Sequence, residues 1–181
     1  MRMTKTWVLL LLCQALAACS QMAVQPKTAP DFPPKLDTRT CHTNGACSID
    51  VFARINESGR CEVMAEYKTV RVLANKTPLM MWSIESLMPA GTHEFQFEFA
   101  PGSSPPRYGI EIVNATPQDF DTPGFGGSSG NPNKQVFTWK NRHGRSLPNA
   151  PFDYNIRVQS RPHGGGSWTQ CDPVDPFIVN E

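Results

Sequence analysis

The run His93-Glu94-Phe95-Gln96-Phe97-Glu98-Phe99 sets three phenylalanines on one side of an extended chain and Glu94, Gln96 and Glu98 on the other. Alternation with a period of two predicts a half-buried β-strand, because a helix would spread the same residues around its circumference. The pattern recurs. Ile49, Val51, Ala53 and Ile55 alternate with Asp50, Phe52 and Arg54, and Tyr108, Ile110 and Ile112 repeat it, as do Phe137 and Trp139. Phe152, Tyr154, Ile156 and Val158 alternate with Asp153, Asn155, Arg157 and Gln159. Leu79 to Ile84 is apolar on both faces, as expected of a central strand with Met80, Met81 and Trp82 packed on either side. No strong amphipathic helix interrupts these segments.

The connections fit the same architecture. Asn56-Glu57-Ser58-Gly59 reads as a turn into Cys61-Glu62-Val63 and predicts a hairpin. Cys61, Val63, Ala65 and Tyr67 share a face, then the apolar parity moves to Val70 and Val72. A bulge or strand break near Lys68 and Thr69 is expected, as where a sandwich strand changes sheets. The fold class is therefore all-β: an antiparallel β-sandwich of about seven to nine strands, of immunoglobulin-like or cupredoxin-like size. Thr116 to Lys134 is a long connection rich in glycine, proline and serine. It is a flexible surface loop, or else its aromatics Phe120 and Phe125 grip a partner or a sugar, which makes them the candidate binding residues. Arg161 to Trp168 is a second such connection.

Leu16-Ala17-Ala18-Cys19 addresses the chain. Arg2 and Lys5 precede an apolar stretch from Trp7 to Leu12 that is too short for a bilayer span of about 20 residues. Two small residues and a cysteine follow. This arrangement resembles the lipobox of bacterial lipoproteins, and the resemblance covers only the first twenty or so positions. It implies a signal peptide over residues 1–18, lipidation of Cys19 and attachment to the membrane through acyl chains, each buried methylene contributing about 0.8 kcal/mol. Ser20 after the cysteine, where inner-membrane retention is associated with aspartate, implies the bacterial outer membrane. The expected placement is on its periplasmic face.

Residues 19–39 then form the lipidated N-terminus and a tether, with four prolines in the eleven residues from Gln25 to Lys35. Proline-rich chain extends by about 3.1 Å per residue, so this stretch spans roughly 30 Å. The β-domain is expected over residues 40–181. Of 17 Lys and Arg, two lie in the leader, which leaves 15 against 16 Asp and Glu. A near-neutral chain without a basic stripe is no nucleic-acid binder.

Beyond Cys13 and Cys19, the cysteines are Cys41, Cys47, Cys61 and Cys171, an even number in an oxidising compartment. Two disulfides follow, with three pairings open. Cys41–Cys47 with Cys61–Cys171 is the expected one, and the register decides it. A three-residue hairpin loop Thr43-Asn44-Gly45 sets Cys41 opposite Cys47, whereas a two-residue turn offsets them. The spacings do not match a zinc site.

Catalytic signatures are missing: no H-E-x-x-H, no G-x-S-x-G, no phosphate-binding loop and no dinucleotide fingerprint. Neither catalytic residues nor a cofactor is expected. His42, His93, His143 and His163 accompany Met64, Met80, Met81 and Met88, and imidazole and thioether suit copper. The strand order resembles that of cupredoxins over part of the domain. Yet Cys171 is followed by Asp172-Pro173-Val174-Asp175-Pro176, with no histidine or methionine, so the resemblance does not carry a copper site and no metal ligands are assigned. The reading is a lipid-anchored cell-envelope protein acting as a binding or scaffolding module, with an envelope protein or glycan as partner. The alternatives are a periplasmic copper-binding protein or chaperone, and an envelope enzyme with an unrecognised site.

Overall fold

The computed structural model describes residues 29–100, 102–104, 106–121, 123–128, 131–143 and 151–180. The lipobox, with Cys19, lies outside the described residues. The strands are β1 (Leu36–Cys41), β2 (Ala46–Ile55), β3 (Cys61–Ala65), β4 (Tyr67–Val72), β5 (Leu79–Ser86), β6 (His93–Phe97), β7 (Phe99–Ala100) and β8 (Arg107–Tyr108). They continue with β9 (Ile110–Ile112), β10 (Gly124–Ser128), β11 (Asn131–Lys140), β12 (Phe152–Ile156), β13 (Val158–Pro162), β14 (Thr169–Gln170) and β15 (Phe177–Asn180).

One layer has the order β10-β11-β5-β2-β3. The other is built on β12 and β13, which form one long strand kinked at Arg157. Its first half belongs to the sheet β1-β4-β15-β12-β9 and its second half to β14-β13-β6. At the kink the Arg157 amide donates to Gly109 O at 2.7 Å, and the Arg157 carbonyl accepts from the Glu98 amide at 3.0 Å. Strands β6 and β9 therefore part company at this residue, and the small β7–β8 hairpin leaves the sheet between them. The layers meet through alternating side chains. Ile49, Val51, Met80, Trp82 and Phe137 on one side are buried against Val70, Phe97, Ile110, Tyr154, Ile156 and Ile178 on the other. Ring pairs cross the interface, Trp82 with Tyr154 at 5.6 Å and Phe97 with Phe137 at 5.7 Å between centroids.

The sandwich expected from the alternation is present, with three differences. First, its ladders are mixed: β1/β4, β4/β15 and β2/β5 are parallel. The chain crosses to the opposite layer between β3 and β4 and returns at β5, and such a crossing permits a parallel neighbour where a hairpin does not. Second, fifteen segments replace the expected seven to nine strands, and three of the breaks between them are kinks at Glu98, Gly109 and Arg157. Third, β1 begins at Leu36, so Leu36 to Arg39, read as tether, belong to the domain's first strand.

The layer switch read from parity falls at Glu66, two residues earlier than expected. Its amide donates to Asp50 O and its carbonyl accepts from Leu36 N, both at 2.8 Å. The β2–β3 hairpin forms as expected, with Ile55 opposite Cys61. Both expected disulfides form, Cys41–Cys47 and Cys61–Cys171. The hairpin argument for the first does not hold, however. β1 and β2 lie in different layers, and Cys41–Cys47 bridges the corner between them while Gly45 O accepts from Leu79 N.

Candidate ligand cleft

On one flank of the sandwich the two layers end in short edge strands, β9 in one and β10 in the other. A cleft of about 570 Å³ opens there, within the size range of small-ligand sites. Its inner wall is aromatic. Trp139, at the end of β11, donates its indole N–H to Ile110 O at 2.8 Å, which ties the ring to the opposite layer and fixes its orientation. Tyr108 meets Trp139 edge-on at 6.2 Å, and Phe120 does so from the other side at 6.2 Å.

The turn 116–121 supplies the outer wall. Asp119 is fully buried, and its Oδ2 accepts from the Thr116 amide at 3.0 Å and the Thr116 hydroxyl at 2.7 Å. The Phe120 amide donates to Thr116 O, and the Arg142 amide donates to Asp119 O. These bonds replace the ladder that an irregular segment lacks and hold the turn against the sheet. Charges at the mouth are matched in pairs: Arg142 with Asp121 at 2.9 Å, and Glu111 with Arg157 at 2.8 Å. The site thus offers aromatic surface, one threonine hydroxyl and paired charges, which suits recognition of a partly apolar, uncharged group.

The expected binding residues are placed differently from a mobile loop with exposed aromatics. Phe120 is only 2% exposed, packed edge-on against Phe152 at 5.3 Å. It underlies the cleft rather than reaching out to a partner. Phe125 sits half-buried on β10, against Phe99 at 5.0 Å and Phe137 at 5.7 Å. Much of the supposed loop is the β10–β11 hairpin, whose register shifts between Phe125 and Gly126. A side chain at Gly126 would come within 2.8 Å of Val136, so glycine permits this bulge. Tyr108 and Trp139 were legible only as strand residues, since alternation marks a buried face without saying whether its edge is open.

The histidines and methionines of the copper alternative are spread over separate elements. His93 begins β6, His163 pairs with Glu94 at 3.2 Å, Met80 is core, and Met88 Sδ accepts the Ile55 amide at 3.3 Å. Among the described residues no group of three or more His, Cys, Asp or Glu could hold a metal ion. No family model and no curated protein matches this chain.

Proposed function

We propose that this chain is a lipid-anchored binding module of the bacterial outer membrane, facing the periplasm, with Cys19 as the lipidated residue and the flank cleft as the seat of its partner. The observation that carries the reading is the cleft walled by Tyr108, Phe120 and Trp139, a preformed concave surface with few, paired polar groups. The anchor rests on the lipobox Leu16-Ala17-Ala18-Cys19. Pro30 and Phe32 are held against the domain by Arg54, so on this reading the membrane-proximal chain enters at the β2–β3 hairpin. That hairpin does not line the cleft, which is left accessible to a partner.

The test has two arms on the full-length protein. Cys19→Ala is expected to move it from the membrane to the soluble envelope fraction, and continued membrane attachment overturns the anchor. Tyr108→Ala and Arg142→Ala are expected to reduce capture of envelope components by the intact protein while leaving it folded, as circular dichroism would check. Unchanged capture by both overturns the cleft as the contact surface.

A further inference from the structure

Arg107 and Tyr108 are successive residues of β8, and their side chains fall on opposite sides of the β7–β8 hairpin. Tyr108 lines the flank cleft, whereas Arg107 lines a second depression of about 300 Å³. Glu98 also borders it. In a regular strand Glu98 would face solvent and Phe99 the core, but the kink at Arg157 reverses them: Glu98 is 4% exposed and Phe99 is 40% exposed. One Glu98 oxygen, Oε1, lies 3.1 Å from Arg107 Nε. The other, Oε2, is buried without a hydrogen-bond partner. A carboxylate oxygen left that way destabilises the fold unless something supplies a donor.

The remaining lining is equally specific. Gln96 Nε2 donates to Gln159 Oε1 at 3.3 Å, which leaves the Gln96 carbonyl and the Gln159 amino group for other partners. Phe99 contacts both Phe125, at 5.0 Å, and Tyr108, at 5.7 Å, so three rings in contact link the second depression to the flank cleft. An exposed phenylalanine braced on both sides is a surface for contact rather than a stray side chain.

We propose that the Glu98 depression is a sugar subsite, and that a neutral oligosaccharide strand straddles the β7–β8 hairpin with its rings on Phe125, Phe99 and Tyr108. This rests on the binding reading of the flank cleft and names its ligand class. A sugar ring offers an apolar C–H face for aromatic stacking and a rim of hydroxyl or amide groups that both donate and accept. Glu98 Oε2 takes one of those hydrogens, while Arg107 and the glutamine amides serve the oxygens. Glu98 and Arg107 cancel each other's charge, so the floor of the depression suits an uncharged ligand, while Lys134 stands exposed among the lining residues.

Calorimetric titration of the full-length lipidated protein in detergent, with the tetramers of N-acetylglucosamine and of glucose as probes, tests the assignment. Saturable binding of at least one tetramer is expected, weakened tenfold or more by Phe99→Ala and by Glu98→Gln. Phe99→Ala removes an exposed ring and keeps the assignment testable should Glu98→Gln perturb folding. Failure of both tetramers to bind overturns the sugar assignment. Binding lost with Tyr108→Ala but unchanged in Phe99→Ala and Glu98→Gln overturns the subsite while the flank-cleft reading stands. A protein partner abolished by Phe99→Ala and indifferent to saturating tetramer makes this surface a protein contact and overturns the proposal as well.

Discussion

Gly109 lies directly against Phe97: a Cβ built on the glycine would overlap the phenylalanine Cβ and press on its ring atoms at 3.0 Å. Phe97 is 1% exposed and belongs to the core, so it has nowhere to retreat. Gly109→Ala is expected to destabilise the domain by about 1–3 kcal/mol, the range for overpacking a close-packed interior. Urea unfolding measures it. Gly59, in the β2–β3 turn, provides a contrast, since nothing lies within 4 Å but its φ is +78°. Gly59→Ala acts through the backbone alone and is expected to cost about 1 kcal/mol.

The two disulfides differ in the loops they close. Cys61–Cys171 spans 110 positions and Cys41–Cys47 spans 6. In the chain-entropy account, loss of the long-range bond costs about 4.7 kcal/mol and loss of the short one about 2 kcal/mol. The Cys61→Ala, Cys171→Ala double variant should therefore lower the unfolding midpoint more than Cys41→Ala, Cys47→Ala. The long bond also pins the segment after β14, where Asp172 N donates to Cys61 O at 3.1 Å and Arg60 reaches Asp172 at 2.7 Å. Thermal melts of both double variants, under oxidising conditions, provide the comparison.

Alternation along the chain revealed the layers but not which strands become neighbours. Cys61, Val63 and Ala65 against Val70 and Val72 betrayed the layer switch because side-chain parity is a local property of the backbone. The parallel pairing of β1 with β4 depends on where a distant strand lies, and no residue in Leu36–Cys41 encodes that. Phe120 looked free because Thr116 to Lys134 is rich in loop-forming residues. The hydrogen bonds of buried Asp119, which fold the turn onto Trp139, leave no periodic trace. Glu98 was assigned to the solvent face by its parity with Glu94 and Gln96. The kink that buries it arises at Arg157, in another strand.

Arg54 joins Pro30 and Phe32 to the body of the domain. Its guanidinium donates to Glu62 Oε2 at 2.8 and 3.0 Å and to Pro30 O at 2.6 Å, and it stacks over the Phe32 ring at 4.3 Å. Arg54→Ala removes the fork that serves all three partners, and Arg54→Lys supplies only a point charge. Both are expected to release residues 29–35, seen as faster amide exchange and proteolysis there, while the core strands keep their protection. Equal protection in the variants would show that the segment is held by other contacts.

Tyr154 and Trp82 are both fully buried and adjacent, yet neither the Tyr154 hydroxyl nor Trp82 Nε1 completes a hydrogen bond. Burial drives the Tyr154 hydroxyl well above the usual tyrosine range, and the Trp82 indole N–H, near the hydroxyl without closing a full hydrogen bond, opposes the shift. A buried hydroxyl without a partner contributes desolvation cost and no bond energy. Tyr154→Phe keeps the ring contact with Trp82 and should be neutral or stabilising, by up to about 1 kcal/mol in denaturant unfolding. A loss of several kcal/mol would mean that the hydroxyl is bonded in solution.

Asp50 introduces a pH dependence opposite to that of the domain's paired carboxylates. Burial raises its pKa first, then repulsion from Glu66 and Glu85, with Arg39 opposing. The folded state therefore favours the protonated form. Its contribution is fully present below the ordinary aspartate range and is lost as pH rises through the raised value. Asp50→Asn should accordingly stabilise the protein at neutral pH, and the advantage should fade as pH falls through that window. Glu94 runs the other way: hydrogen bonding and charge from Arg161 hold it below the usual glutamate range, so its contribution is present at neutral pH and lost on acidification. Urea unfolding of Asp50→Asn and Glu94→Gln from pH 7 down to pH 3 should give stability differences of opposite sign at neutral pH, both shrinking toward acid. A neutral-pH loss of stability in Asp50→Asn would show that the carboxylate makes a favourable contact that outweighs its repulsion.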